Sequence, residues 1–173
     1  MIIIKKHLGN NLSLAVLLVL LSPLLLSGCF ESGGKWGSAP DFTLITVDGE
    51  TFNLSEQLGK IVVIDFMYVE CRPCQLEMDE LKHFYEQFMD EIIMISISVW
   101  WAEDKASELQ GFKDHYQAEW MFALDTTDED ATMKYNVISV PRIVIINKTG
   151  DVTYTSSGWV SHQVLTEEIN KIS

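Results

Sequence analysis

Two cysteines separated by two residues, Cys71-Arg72-Pro73-Cys74, are the side chains in this sequence best suited to chemistry. They lie where an apolar run, residues 61–66, meets a segment of helical character that begins near Pro73. The amino end of a helix presents unpaired N–H groups and the positive end of the helix dipole, and both favour a thiolate at Cys71. Cys74 lies within about one helical turn and can close a disulfide with Cys71. The pair is therefore predicted to be a reversible dithiol.

The same spacing would also suit a structural crosslink or part of a zinc site. The chain contains three cysteines, of which Cys71 and Cys74 form the closely spaced pair and Cys29 stands apart. A disulfide across so short a loop adds little stability, because the entropy that it removes from the unfolded chain grows with loop length. A single CxxC without a second pair or a histidine cluster cannot supply four zinc ligands. We therefore expect redox chemistry that needs no metal or other cofactor.

The first 28 residues have the character of an export signal. Lys5 and Lys6 precede an apolar stretch, residues 12–26, which serine and proline interrupt. This stretch is shorter than the roughly 20 apolar residues of a membrane span. Residues 26–29, Leu-Ser-Gly-Cys, resemble the lipobox of secreted lipoproteins, which implies that Cys29 becomes the lipidated first residue. A transmembrane anchor is the alternative, and both place the remaining chain outside the cytoplasm and at a membrane.

The rest of the chain has the size of one domain. Without residues 1–28, 145 of the 173 residues remain. Residues 29–39 are rich in glycine and serine and are predicted to be a tether, which leaves 40–173 as the domain. Loss of Lys5 and Lys6 leaves 10 basic against 25 acidic side chains, a formal charge of −15. This balance disfavours nucleic acid and bare anionic lipid as partners, and solubility alone would also explain it.

The apolar pattern predicts alternating strands and helices. The predicted strands are 42–46, 51–54, 61–66, 92–99, 119–124, 142–146 and 152–155, and the predicted helices are 73–88, 102–116, 128–135 and 161–172. Parallel strands joined by helices come first and an antiparallel pair comes last. The pattern therefore predicts an α/β fold, with a mixed central sheet flanked by helices and an additional N-terminal β-hairpin.

Three motifs together resemble the thioredoxin fold. Asp65 lies six residues ahead of Cys71, the cysteines form a Cys-x-Pro-Cys sequence, and Ser139-Val140-Pro141 precedes a late strand. The sequence Ala-Pro-Asp-Phe at 39–42, the extra hairpin and Glu77, three residues after Cys74, narrow the resemblance to one family. The chain is similar to the TlpA-like, membrane-tethered thiol:disulfide oxidoreductases from about residue 40 to its end.

This resemblance implies a role for each residue of the motifs. Cys71, expected to be the more exposed cysteine, would attack a partner protein and form a mixed disulfide, which Cys74 would resolve. Pro141 matches the proline that follows a cis peptide bond beside the dithiol in this fold. The backbone of Val140 would then pair with an extended substrate segment by strand addition.

Two carboxylates are candidates for the accompanying proton transfer. Asp65 matches the buried aspartate of thioredoxins, and Glu77 matches an acid of the TlpA-like group that tunes the same thiols. Burial near a thiolate would raise the pKa of either carboxyl group. A glutamate in the first turn of a helix is also favoured simply by the helix dipole, so a role for Glu77 is not required. The sequence leaves open which acid handles the proton.

Two other protein classes on related folds would need different residues. A peroxiredoxin would carry threonine three residues before its reactive cysteine and proline four residues before that, where this chain has Tyr68 and Ile64. A Sco-like copper-binding metallochaperone, the alternative, would need CxxxC and a histidine near Val140. A purely structural lipoprotein would tolerate loss of both cysteines. Three histidines are expected at the surface: His83, His115 and His162.

The resemblance also implies partners. These are thiols or disulfides of exported proteins, for example apocytochromes, and a membrane or extracytoplasmic electron donor. Reduction is the favoured direction, and a disulfide-forming oxidant is the alternative, since Glu70 opposes the Cys71 thiolate that Arg72 favours. Trp100 and Trp101 follow the second central strand, where the ordinary expectation is that one is core and the other covers it. A surface for docking a partner is the alternative.

Overall fold

A computed structural model describes residues 37–173. The predicted signal segment 1–28, the lipidation site Cys29 and most of the predicted tether lie outside the described residues. None of the helices within 37–173 combines the length and the apolar composition that a bilayer crossing requires.

Within this range the chain alternates strands with helices, as predicted. The elements are β1 (Thr43–Ile45), β2 (Thr51–Asn53), β3 (Ile61–Met67), α1 (Arg72–Phe88), β4 (Ile92–Ser98), α2 (Ala106–Tyr116), β5 (Met121–Leu124), α3 (Ala131–Lys134), β6 (Arg142–Ile146), β7 (Val152–Ser157) and α4 (His162–Asn170). Two short 3-10 helices, Leu54–Gln57 and Trp100–Ala102, follow β2 and β4.

Five strands form one mixed sheet in the order β5-β4-β3-β6-β7. Strands β3, β4 and β5 run parallel, whereas β6 and β7 are antiparallel to their neighbours. Strands β1 and β2 pair as a separate antiparallel hairpin, whose tight turn contains Gly49 with φ at 84°. Glycine adopts this positive φ without the steric penalty of a side chain. The predicted mixed sheet and N-terminal hairpin are both confirmed.

Strand β3 lies at the centre of the sheet and is buried along its whole length. Successive side chains of a strand point to opposite faces, so the strand serves two cores. Ile61, Val63 and Met67 belong to the core that contains residues of α1, α2 and α4. The other core contains the hairpin, residues of α3 and the alternate β3 side chains, Val62, Ile64 and Phe66. By this alternation Asp65 faces the core beneath α1.

Helix α1 carries the dithiol and packs through one apolar face. Leu81, Phe84 and Phe88 are buried at the predicted spacing, and Tyr85 is half-buried. Pro73 lies in the first turn, where its missing N–H removes no helical hydrogen bond. Burial of such a face, rather than helix propensity, supplies most of the stability of a helix in a protein.

Two predicted helix starts are wrong, and side-chain hydrogen bonds explain both. Helix α2 begins at Ala106 rather than at residue 102, because Asp104 turns towards the sheet and accepts a hydrogen bond from the hydroxyl of Ser98 at 2.7 Å. Helix α3 begins at Ala131 rather than at residue 128, because the carboxylate of Asp125 accepts the N–H of Ala131 at 3.0 Å. Neither contact is visible in local periodicity.

Candidate functional site

The two cysteines form a disulfide at the amino end of α1, with their Cα atoms 5.2 Å apart. Cys71 is the residue that caps the helix, and its sulfur accepts a hydrogen bond from the N–H of Cys74 at 3.2 Å. The helix start therefore directs a backbone donor at the sulfur of Cys71. The same donor, together with the helix dipole, would stabilise a thiolate there after the disulfide opens.

Both sulfurs are equally buried. Cys71 and Cys74 are each 2% exposed, so the expected greater exposure of Cys71 is wrong for the disulfide form. The reason is that both cysteines belong to the core beneath α1, against which the half-buried Tyr68, Val69 and Val140 pack. The half-buried side chains of Tyr68, Val69 and Val140 therefore border the core that contains the disulfide.

The loop that precedes Cys71 is held from two sides. The N–H of Val69 donates to the carboxylate of Asp104 at 2.8 Å, and the side-chain amide of Gln75 donates to the carbonyl of Val69 at 2.9 Å. Because Asp104 also binds Ser98 at the end of β4, it connects the sheet to the dithiol loop. Sequence reasoning missed Asp104, since it lies inside a stretch predicted to be helical.

Asp65 lies on the face of β3 that packs against the core of the two cysteines, and it is 1% exposed. Its Oδ2 accepts a hydrogen bond from the hydroxyl of Ser96 at 2.8 Å, while Oδ1 is buried without a partner among the described residues. Desolvation raises the pKa of Asp65 to about 7, and the hydrogen bond from Ser96 opposes that rise. Near neutral pH this carboxyl can therefore either hold or release a proton.

Glu77 is fully buried on the inner face of α1. Its Oε1 accepts the N–H of Val160 at 2.6 Å, and within residues 37–173 no group pairs with its buried Oε2. Desolvation is the main cause that raises the pKa of Glu77 to about 8, and the nearby charge of Asp65 raises it further. The helix dipole favours a glutamate at an exposed helix end, so it does not explain why Glu77 is buried.

The charge of Asp65 acts on Glu77, so the two carboxyls titrate as a pair. Their protons leave in two steps that belong to the pair rather than to either residue. Such a pair beneath a disulfide can take up the proton that a thiol releases, or return it, at a pH near neutrality.

The turn before β6 contains the cis peptide bond between Val140 and Pro141 that the resemblance implied. The ladder between β3 and β6 begins at Arg142, so Val140 lies outside it. The carbonyl of Pro141 accepts the N–H of Gly158 at 2.8 Å, which joins this turn to the segment after β7.

The chain is similar in sequence to proteins of known activity. A sequence model of the AhpC/TSA family matches residues 37–155. The chain belongs to the AhpC/TSA family. It is 28% identical to the thiol-disulfide oxidoreductase ResA of Geobacillus kaustophilus, over 97% of this chain and 98% of that protein. It is 26% identical to the thioredoxin-like protein YneN of Bacillus subtilis, over 76% of each chain.

A solved structure extends the comparison to the fold. The crystal structure of StoA from Bacillus subtilis covers 76% of this chain and 97% of its own, with a TM-score of 0.65 and 20% identity, which shows a thioredoxin-like fold. The resemblance to the TlpA-like oxidoreductases is confirmed. This AhpC/TSA family member, with a disulfide between Cys71 and Cys74, is a thiol:disulfide oxidoreductase.

The segment after β7 connects the cis-proline turn of this family member to α1. Three alternate N–H groups anchor it: Gly158 bonds to Pro141, Val160 to Glu77, and His162 to the Oε2 of Glu80 at 2.9 Å. Between the first two anchors lies Trp159, whose side chain is 53% exposed. A large aromatic side chain on an anchored backbone is suited to contact a partner. Sequence reasoning missed Trp159, for which the available signal was an isolated tryptophan after a glycine.

Trp100 and Trp101 lie together in the 3-10 helix after β4. They are 39% and 41% exposed, so the expectation that one of them is core is wrong. The Trp101 ring meets Tyr68 edge-on at a centroid distance of 5.6 Å, beside the dithiol loop. Docking by this aromatic pair stays a prediction.

In the described range, none of the hydrogen bonds or ring contacts of His83, His115 and His162 involves Cys71 or Cys74. His83 and His115 are exposed as predicted, whereas His162 is half-buried and its Nδ1 lies 2.6 Å from Oε2 of Glu80. The His83 and His162 rings are 5.6 Å apart between centroids. Among residues 37–173, no three His, Cys, Asp or Glu side chains are grouped to hold a metal ion.

Proposed function

We propose that this chain is a lipid-tethered oxidoreductase that reduces disulfides of exported proteins outside the cytoplasmic membrane. The observation that carries the proposal is the Cys71–Cys74 disulfide at the amino end of α1, above the buried carboxyls of Asp65 and Glu77. This arrangement combines an activated sulfur, a resolving sulfur and a local acceptor for a proton. A disulfide that served stability alone would need neither of the two acids.

The proposed reaction starts from the dithiol. The Cys71 thiolate attacks a partner disulfide, forms a mixed disulfide and releases one partner sulfur as a thiolate. Cys74 then loses its proton to a buried carboxylate, attacks the sulfur of Cys71 and releases the second partner sulfur. Two electrons pass from the dithiol to the partner. The two partner thiolates take up one proton from the buried carboxyl that Cys74 protonated and one from solvent, to which Cys71 had lost its own. An electron donor must then reduce the disulfide that the structure contains.

The direction of electron flow follows from the reduction potential of the pair. We favour reduction because the chain resembles the TlpA-like family, in which apocytochromes are among the proteins to be reduced. Equilibration of the full-length protein with defined thiol/disulfide buffers, followed by counting of free thiols, measures the potential. A value near about −270 mV supports a reductant, whereas a value near about −120 mV would make the protein an oxidant.

The proposed location rests on Cys29 and the lipobox-like residues before it. Cys29→Ala should release the protein from the membrane fraction, because alanine cannot carry the lipid anchor. Wild-type protein should stay with the membrane. A parallel label with a radioactive fatty acid should appear only in the wild type. Retention of the unlabelled variant at the membrane would instead support a transmembrane anchor.

A further inference from the structure

Hydrogen bonds connect three buried side chains, Trp120, Ser96 and Asp65, in series. The indole Nε1 of Trp120 donates to Oγ of Ser96 at 2.9 Å, and this hydroxyl donates to Oδ2 of Asp65 at 2.8 Å. Trp120, Ser96 and Asp65 are 3%, 0% and 1% exposed, so water does not compete for these hydrogen bonds. Sequence analysis singled out Asp65 alone.

The direction of these hydrogen bonds follows from the donor at Trp120. An indole N–H can only donate, so Ser96 must use a lone pair of its oxygen to accept from Trp120. The single hydroxyl proton of Ser96 is then free to point at Asp65. With that proton directed at Asp65, Oδ2 is the acceptor. Oδ1, buried and without a partner among residues 37–173, is then the oxygen left to carry a proton.

Packing holds the ring of Trp120 in place. The ring of Trp120 lies 5.3 Å from Tyr85 of α1 and 5.7 Å from Phe122 of β5, measured between ring centroids. Ser96 pairs in register with both Phe122 and Asp65, so the three strands hold the hydroxyl beside the carboxyl. The donors at Trp120 and Ser96 are therefore held in place by the sheet and by α1.

We propose that Ser96 and Trp120 are positioning residues of the dithiol reaction, which hold Asp65 Oδ2 as a hydrogen-bond acceptor and assign the exchangeable proton to Oδ1. The proposal rests on the function above, and it assigns a role to two residues that touch neither sulfur. When Cys74 gives up its proton, the S–H bond breaks and an O–H bond forms at Oδ1. The electron pair stays on sulfur, which then attacks Cys71, and the proton later leaves Oδ1 for solvent or a partner thiolate.

Several groups face Asp65 and enter any titration of it. Glu77 of α1 acts on it by charge, Ser96 of β4 donates to it, and the uncharged Ile143 of β6 pairs with it in register. The two cysteines belong to the core on the same face of β3. In the disulfide form the cysteines do not titrate, so Glu77 is the ionisable group left beside Asp65. Measurement of the oxidised protein therefore isolates the two carboxyls.

The test is an infrared titration of the protonated carboxyl band in the full-length oxidised protein, held in detergent, between pH 4 and pH 10. The Asp65 band is the component that Asp65→Asn removes. Ser96→Ala should move its midpoint upward by about one to two pH units, because a hydrogen bond to the charged form is lost. Trp120→Phe should move the midpoint upward by less and shift the band, because the freed hydroxyl can then turn and accept from the protonated acid.

A half-buried serine supplies the matched control. Ser156 on β7 has a buried hydroxyl without a partner among residues 37–173, so Ser156→Ala should leave the midpoint unchanged. The proposal is overturned if Ser96→Ala keeps the wild-type midpoint, or if Ser156→Ala moves it equally. The readout needs no turnover, so failure of the wild-type dithiol to cycle would reject the proposed function and leave this test intact. An unchanged midpoint and band in Trp120→Phe would likewise overturn the role of Trp120. Near-ultraviolet circular dichroism checks that each variant is folded.

Discussion

Replacement of Glu77 by glutamine should reverse its effect on stability between acid and alkaline pH. The folded protein holds the Glu77 proton more tightly than the unfolded chain, because burial raises the pKa from 4.5 to about 8. This carboxyl therefore stabilises fully below about pH 4.5, and its contribution is lost as the pH rises to about 8. At about 1.4 kcal/mol per pH unit, the loss amounts to about 5 kcal/mol.

Glutamine does not titrate, so this loss disappears in the variant. Its amide oxygen can still accept the N–H of Val160, but its NH2 group replaces the buried, unpaired Oε2. A buried donor without a partner costs about 1–3 kcal/mol. We therefore expect the variant to be less stable than wild type by about 1–3 kcal/mol at pH 5, and more stable by roughly 2–4 kcal/mol at pH 9.

The assay is urea unfolding of the oxidised protein without residues 1–29, monitored by circular dichroism at pH 5, 7 and 9. Glu80→Gln is the matched control, one helical turn away on α1. Hydrogen bonds from His162 lower the pKa of Glu80, so its stabilising effect is present above its ordinary range and lost as the pH falls. Glu80→Gln should therefore weaken the fold most at pH 7 and 9. Equal pH slopes for wild type and Glu77→Gln would refute the reasoning.

Four further substitutions test the site. Cys74→Ser should accumulate mixed disulfides with partner proteins on non-reducing gels, whereas Cys71→Ser should trap none; normal release by Cys74→Ser would contradict the order of attack. Asp104→Ala should speed hydrogen exchange at the Val69 amide and lower stability by about 2 kcal/mol, because a charged acceptor is lost; unchanged exchange at that amide would exclude the positioning role. Trp159→Ala should raise KM for a protein disulfide about tenfold and change exchange with a small disulfide less, and equal effects on both would argue against docking.

Local sequence pattern was sufficient for the elements that carry the cysteines. The continuous apolar run of β3 and the apolar spacing of α1 each have one structural solution, a buried central strand and a helix packed on it. The junction between them places Cys71 at a helix start without any tertiary information. The candidate dithiol was therefore predictable from residues 61–88 alone.

The surroundings of the dithiol depend on residues far apart in the chain. Glu77 is buried because its partner Val160 lies 83 residues later, and Ser96 meets Asp65 across 31 residues. No periodicity within one element reports such contacts, so Glu77 had two interpretations. The one that placed it in the first turn of the helix is wrong, because α1 begins at Arg72 and has no acidic residue in its first turn. The start of α2 was misplaced because Asp104 binds Val69, 35 residues earlier.

The carboxyl groups of Asp65 and Glu77 have the same hydrogen-bonding pattern, which stability alone does not explain. In both Asp65 and Glu77, one oxygen accepts a hydrogen bond and the other is buried without a partner in the described range. Burial of such groups disfavours folding once they ionise, and an apolar side chain would avoid that penalty. A disulfide that opens and closes, however, must exchange a proton with some group each time a thiol forms or disappears. In the proposed reaction, the unpaired oxygen of each acid would take up and return that proton, a role that would offset the cost of burying the two carboxyls.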